Sequence, residues 1–142
     1  MAGHMNDNTK QTVLVCDDEK DIANAISLFL KSEGYDVKTA SNGKEAIEIL
    51  ESEEIHLVLM DIMMPGKNGI EAARDIRRLG VEDALTVPII ALTADASEDT
   101  DEKCLRAGMN AALKKPVENE ILFYTLAKEF EKSVRREGQA SL

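Results

Sequence analysis

Short apolar bursts alternate with helical-period stretches from one end of the chain to the other. Val13-Leu14-Val15-Cys16 is a continuous apolar run, as a strand covered on both faces requires. Ile22, Ala25, Ile26, Phe29 and Leu30 then recur at helical spacing, with Asp21 placed to cap that helix and Gly34 to end it. Tyr35-Asp36-Val37-Lys38-Thr39 alternates like a less buried edge strand, and Asn42 can cap a second helix that buries Ala46, Ile47 and Leu50. Leu57-Val58-Leu59-Met60 is the most apolar strand and leads straight into Asp61. Pro65-Gly66 and Asn68-Gly69 break the chain into a loop, after which Ile70, Ala73 and Ile76 mark a third helix. Pro88-Ile89-Ile90-Ala91-Leu92 is a fourth strand, followed by Thr93 and by a polar helix from about Ser97 to Gly108. Ala111-Ala112-Leu113 is a weak fifth strand before Lys115-Pro116. A last helix from about Glu118 to Arg136 is expected to bury Phe123, Leu126, Ala127 and Phe130.

Strand and helix alternating in this way predict an α/β fold: a five-stranded parallel sheet, doubly wound as (βα)5, with helices on both faces. Each crossover must be right-handed and must cover a face. The 142 residues make one domain, expected over 12–136, with no internal repeat or linker. Met1-Ala2-Gly3-His4-Met5 reads as a cloning remnant at a disordered start, and 137–142 as a frayed tail.

Composition narrows the partners. A net charge of −10, with 17 basic residues scattered among 27 acidic ones, argues against nucleic acid or an anionic membrane as direct partner. Both are bound through clustered Lys and Arg. No apolar run approaches the roughly 20 residues that span a bilayer, and no secretory signal is expected. Cys16 and Cys104 lack metal-ligand spacing and read as small buried hydrophobes in a reducing, cytoplasmic setting.

Ligands of a doubly wound sheet bind outside the carboxyl ends of its strands, where strand order switches. Asp17, Asp18 and Glu19 come after the first strand, Asp61 after the third, Thr93 after the fourth, and Lys114 and Lys115 after the fifth. Singly, each has an ordinary explanation: Asp21 and Glu19 as helix caps, Thr93 as a turn residue, Lys115 as a solvated charge. Together they differ. Two carboxylates about 4 Å apart repel by roughly 4 kcal/mol at an effective dielectric of 20, so the cluster calls for a counter-charge. Hard oxygen ligands with an open face suit Mg²⁺, which combines a few carboxylates with waters and a phosphate.

Four segments carry a resemblance: Val13 through Glu19, Met60 through Gly69, Pro88 through Ala94, and Lys115-Pro116. In sequence and order they resemble response-regulator receiver domains, over about Thr12 to Phe130. The stretch from Pro88 through Gly108-Met109-Asn110 is particularly similar to receivers fused to hybrid histidine kinases. The resemblance implies a flavodoxin-like receiver fold and a signalling switch. A histidine kinase or phosphotransfer protein would give a phosphoryl group to Asp61, the nucleophile. Asp18 would ligate Mg²⁺, Asp17 would hold a coordinated water, and the Met63 backbone carbonyl and Asp61 would complete the protein's share of the shell. Lys115 would neutralise the transferring oxygens, Thr93 would bond the new phosphoryl group, and Ala94 would leave it room. The Lys115-Pro116 bond is implied to be cis. Activity would be self-phosphorylation and autodephosphorylation, without turnover of an external substrate. Output would run through the face of the fourth helix, fifth strand and fifth helix, which also offers a homodimer contact.

One position departs from the pattern. Family members usually place an aromatic residue or histidine three residues before the final lysine, and here that residue is Ala112. The signal is therefore expected to travel through the loop after Thr93. Met63 and Asp95 fall where the family varies and where phosphoryl lifetime is tuned. His56, before the third strand, reads as a surface residue and not as a phosphate relay. Two rivals are weaker. A haloacid-dehalogenase-type phosphatase needs Asp-x-Asp after the first strand, whereas Asp17 is followed two on by Glu19, and there is no room for a cap domain. A receiver used only for docking or dimerising would not need the acids, Thr93 and Lys115 together. A P-loop is excluded by the absence of its glycine-lysine motif.

Overall fold

Alternate residues of each central strand feed two separate cores, and that division sets the layers. A computed structural model describes residues 10–140 apart from 65, 81 and 96, without side-chain surroundings for 82, 83 and 134–140. Its strands are β1 (Thr12–Cys16), β2 (Asp36–Ala40), β3 (Leu57–Asp61), β4 (Ile89–Thr93) and β5 (Ala111–Lys114). They form one parallel sheet in the order β2-β1-β3-β4-β5. The longer helices are α1 (Lys20–Ser32), α2 (Gly43–Ser52), α3 (Gly69–Arg77), α4 (Glu98–Arg106) and α5 (Asn119–Ala140). On one face Val13, Val15, Leu57, Leu59, Ile90 and Leu92 pack against α1 and α5. On the other, Leu14, Cys16, Val58, Met60, Ile89 and Ala91 pack against α2, α3 and α4. Burial on both sides explains why β3 and β4 read as unbroken apolar runs.

The expected α/β architecture is therefore present, with local corrections. Glu19, not Asp21, is the N-cap residue of α1; Asp21 sits in the first turn, where its charge suits the helix dipole. The inward face of α1 is Ala23, Ile26, Ser27 and Leu30, and Ala25 is exposed. Gly34 ends α1 at φ 95°, a left-handed conformation that costs glycine nothing. Asn42 caps α2 as expected, its side chain accepting from the Glu45 N–H at 2.8 Å. α5 buries Leu122, Leu126, Glu129 and Phe130, while Phe123 and Ala127 face outward. It continues to Ala140, past the expected end at Arg136. A short helix, Glu82–Thr86, was not foreseen. Pro65 of the predicted loop, the opening residues 1–5 and residues 141–142 lie outside the described residues.

Two contacts fasten the end of the sheet opposite the strand carboxyl ends. His56 is half-buried; its Nδ1 accepts from the Thr12 N–H at 2.9 Å, and its own N–H reaches the Thr12 carbonyl at 2.9 Å. It staples β1 to the start of β3, a structural role more specific than a surface residue. Arg77, at the end of α3, donates to the carbonyls of Gly108, Ala84 and Val87 and to Asn110 Oδ1. Asn110 Oδ1 also accepts from the Ile89 N–H at 2.9 Å. One guanidinium thus satisfies buried carbonyls from the segment after α4 and from the short helix, as a planar five-donor group can.

Candidate functional site

Strand order reverses between β1 and β3, because β2 lies to one side of β1 and β3 to the other. Asp17 and Asp61 stand at the carboxyl ends of these two neighbouring strands. The Asp17 N–H bonds the Ala40 carbonyl at 3.0 Å, and the Ile62 N–H bonds the Leu92 carbonyl at 3.1 Å, so sheet hydrogen bonding continues up to both acids. Asp17 is 1% exposed and Asp61 2% exposed, whereas Asp18 faces solvent. One carboxylate oxygen from each of the three lies within 4.8 Å of the others.

Lys115 enters from the end of β5. Its N–H bonds the Thr93 carbonyl at 2.8 Å, and its Nζ lies 2.9 Å from Asp17 Oδ2 and 3.3 Å from Asp61 Oδ1. Lys114, the other basic residue at this end, is exposed. The Lys115-Pro116 peptide is cis, as the resemblance implied. Burial works against the charge of Lys115, but Asp17 and Asp61 outweigh it and hold the ammonium above its ordinary value.

Asp61 shows the strain of this arrangement. Burial raises its carboxyl to about 6, the Asp17 charge pushes the same way, and the Met63 N–H and Lys115 only partly offset them. The Met63 N–H reaches Asp61 Oδ1 at 3.1 Å, which folds the Met63 backbone over the carboxylate while its side chain points outward. Burial and the nearby carboxylates also push the Cys16 thiol up to about 12, so it stays protonated and packs as the expected inert hydrophobe. Cys104 is likewise buried and unbridged.

The donor set fits a divalent cation. Among the described residues, three carboxylates face one ammonium, leaving two negative charges without a counter-ion when all are ionised. Asp17 Oδ2, although beside Lys115, is a buried oxygen without a well-directed hydrogen bond. All-oxygen ligands with Asp18 open to solvent suit Mg²⁺ with its retained waters.

Thr93 is buried at the end of β4, but its hydroxyl is turned to its own loop. Oγ1 accepts from the Asp95 N–H and donates to the Asp95 carbonyl, both at 2.9 Å. The Asp95 carboxylate in turn accepts from the Ser97 N–H and hydroxyl and from the Thr100 hydroxyl. Those donors hold the Asp95 carboxyl below its ordinary range. Ala94 is exposed, and Ala112 lines a depression of about 210 Å³ with Asp101, Cys104, Leu105, Met109 and Ala111. Glu19, exposed, bonds Asp17 Oδ1 through its N–H at 2.9 Å, and its carbonyl accepts from the Ala23 N–H at 3.1 Å; its side chain makes no capping hydrogen bond.

The supporting residues were the part missed in sequence. Asn68 and Glu71 form a reciprocal capping box at the start of α3, a motif readable from its Asn-x-x-Glu spacing. Gly69 has no room for a side chain, since a Cβ there would sit 2.3 Å from the Asp61 carbonyl oxygen. α3 therefore starts against the backbone of the central acid.

The model of the response regulator receiver domain matches residues 13–127. The chain belongs to this family. It is 36% identical to the sensor histidine kinase RcsC of Escherichia coli K12 over 122 residues, and 37% identical to RcsC of Salmonella typhimurium over 120. Those matches cover 86% and 84% of this receiver but 12% of each kinase, so the chain spans about an eighth of the relatives' length. They agree with the likeness to receivers of hybrid kinases. Among solved structures, the receiver domain of a Pseudomonas aeruginosa PAO1 sensor histidine kinase is 36% identical, with a TM-score of 0.77 over 84% of this chain and 97% of that one. That structure has a magnesium ion coordinated in its active site cleft. The chemotaxis protein CheY4 of Vibrio cholerae aligns with a TM-score of 0.81 at 28% identity, covering 84% of this receiver and 98% of its own chain. Among the described residues, no helix of this receiver is long and apolar enough to cross a membrane.

Proposed function

We propose that this receiver is a phosphorylation-activated switch that accepts a phosphoryl group onto Asp61 from a histidine kinase or phosphotransfer protein. The observation that carries it is Asp61 itself, a buried carboxylate at the switch point, beside the Lys115 ammonium that bridges it to Asp17. Asp61 Oδ1 is engaged by the Met63 N–H and Lys115, while nothing among the described residues hydrogen-bonds Oδ2. That oxygen is free to attack phosphorus. The new bond is Oδ–P, the bond that breaks is P–N of a phosphohistidine, and the departing imidazole takes up a proton from solvent. Lys115 neutralises charge on the transferring oxygens, and Thr93 offers its hydroxyl to the arrived group.

Asp17, Asp18, Asp61 and the Met63 carbonyl would hold Mg²⁺, which when bound supplies the missing positive charge and orients the phosphoryl oxygens. Hydrolysis of the Asp61 Oδ–P bond by water at the same site, releasing inorganic phosphate, would be autodephosphorylation, and the reading involves no substrate beyond the phosphodonor. Output through α4, β5 and α5, including a homodimer there, belongs to the same reading; these elements carry exposed Leu105, Ile121 and Tyr124. Two buried, unbridged cysteines suit a cytoplasmic setting.

Incubation with acetyl phosphate and Mg²⁺ followed by intact-mass measurement should show one added phosphoryl group. Asp61→Asn should take none, and chelator should abolish labelling of wild type. Equal labelling of Asp61→Asn would sink the assignment.

A further inference from the structure

Four of the chain's six arginines line one depression of about 230 Å³. Arg74, Arg77 and Arg78 come from the end of α3, Arg106 from the last turn of α4, and Ala107 and Gly108 form the remaining wall. In a chain of net charge −10 this is a local inversion of sign. Part of it has an ordinary cause. Cations suit helix carboxyl ends, Arg77 is spent on backbone carbonyls, and Arg106 pairs with Glu102 on its own helix. Arg74 and Arg78 are left over. Both are exposed, and among the described residues neither has a carboxylate partner; Asp75, the acid between them, pairs with Lys67. They stand four residues apart, a spacing at which like charges on a helix repel. α4 then brings a further guanidinium to the same depression, not an acid that would relieve the pair.

We infer that this corner of α3 and α4 docks an acidic helical segment of a partner protein, with carboxylates four residues apart meeting Arg74 and Arg78. Spacing and charge choose the occupant. Residues four apart on a helix set their Cβ atoms about 5–6 Å apart, so a partner helix with that repeat matches the two guanidinium groups. Each guanidinium offers a fork for a carboxylate, and the Arg106–Glu102 pair shows one carboxylate already seated at the rim. A second copy of this chain fits poorly. It too carries −10, and in the acidic first turns of its α4 Asp99 and Glu102 are engaged by Lys103 and Arg106. The net charge equally opposes nucleic acid, whose phosphates would face the acidic remainder of the molecule. The depression lies at the end of the sheet opposite Asp17 and Asp61, beside the Arg77–Gly108 contact, so the inference stands independently of the reading of Asp61.

The probe is a synthetic helical peptide of Glu-Ala-Ala-Ala repeats, titrated at low salt into the 142-residue chain while amide shifts are recorded. Shifts should gather at Leu79, Gly80, Ala107 and Gly108 and fade as salt is raised. Arg74→Ala combined with Arg78→Ala should weaken binding about fivefold or more, and Arg78→Glu should abolish it. Arg77 is left alone because its carbonyl contacts hold the fold. Arg74→Gln and Arg78→Gln, taken singly, keep most of each side chain and serve if the double variant folds poorly; each should weaken binding about twofold to threefold. A peptide with the same glutamates in a proline-broken sequence should bind more weakly, and equal binding would overturn the helical match. The same shifts on adding inorganic phosphate would make this a small oxyanion site, and the same shifts with duplex DNA a nucleic-acid site; either overturns the proposal. Self-association that Arg78→Glu removes would assign the surface to a second copy and overturn it too. Shifts scattered over other basic residues, or none at the depression, overturn it outright.

Discussion

Replacing Asp61 by asparagine should stabilise the metal-free chain, and by an amount that depends on pH. Burial and Asp17 raise the Asp61 carboxyl from 3.8 to about 6 in the folded form. The folded chain therefore binds this proton more tightly than the unfolded chain does. Folding takes up a proton between those values, and stability falls as pH climbs through them. At about 1.36 kcal/mol per pKa unit, the full cost above pH 6 is on the order of 3 kcal/mol. For a domain of this size that corresponds to roughly 5–12 °C in melting temperature. The difference between wild type and Asp61→Asn reports this carboxyl together with its interactions with Asp17 and Lys115. The assay is thermal or urea unfolding with chelator present, from about pH 4 to 7.5. The two proteins should converge at the acid end and separate progressively up to about pH 6, with Asp61→Asn the more stable above it. A difference independent of pH would refute the reasoning, as would wild type gaining on the variant as pH rises.

Mg²⁺ should stabilise wild type by about 1.4 kcal/mol at ten times its Kd. Asp18→Asn, lacking one ligand, should gain much less, with sodium at matched ionic strength as control for screening; equal gains would remove the metal site. Lys115→Ala leaves Asp17 and Asp61 without their shared ammonium; acetyl phosphate labelling, tracked by mass, should slow roughly a hundredfold. Gly69→Ala forces a methyl against the Asp61 carbonyl and should lower stability by about 1–3 kcal/mol in urea unfolding while impairing labelling. Asn68→Ala, which loses only the α3 cap, should cost about 1 kcal/mol with labelling retained.

Much of the site could be read in sequence for a topological reason. In a parallel sheet every strand ends at the same edge, so the residues placed just after the apolar runs, Asp17, Asp61, Thr93 and Lys115, must gather there. Helix phase was harder. Ile121, Leu122, Phe123 and Tyr124 are consecutive, so an apolar count cannot tell which of them points inward; Leu122 does, and Phe123 does not. In α1 the small side chains Ala23 and Ser27 lie inward and Ala25 outward, a choice that composition does not encode. Arg77 was invisible as a structural residue because its acceptors lie in later segments, up to Asn110. The turning of the Thr93 hydroxyl toward Asp95 is likewise a property of the folded loop and not of any spacing.

The Arg77 contacts have a mechanical meaning for a helix that is asked to move. Gly108 and Asn110, just beyond the end of α4, are moored to α3 and to the Ile89 amide. The opposite end of α4 hangs from Ser97 and Thr100 on a carboxylate at the surface. One end is pinned and the other is tethered, so α4 should behave as a lever with its fulcrum near Ala107. Its nine residues give an arm of about 13 Å. A loop shift of about 2 Å would then tilt the helix by roughly 9° over that arm. Labels at Glu98 should report the swing in distance measurements and labels near Ala107 should stay still; equal travel at both would mean that the helix slides.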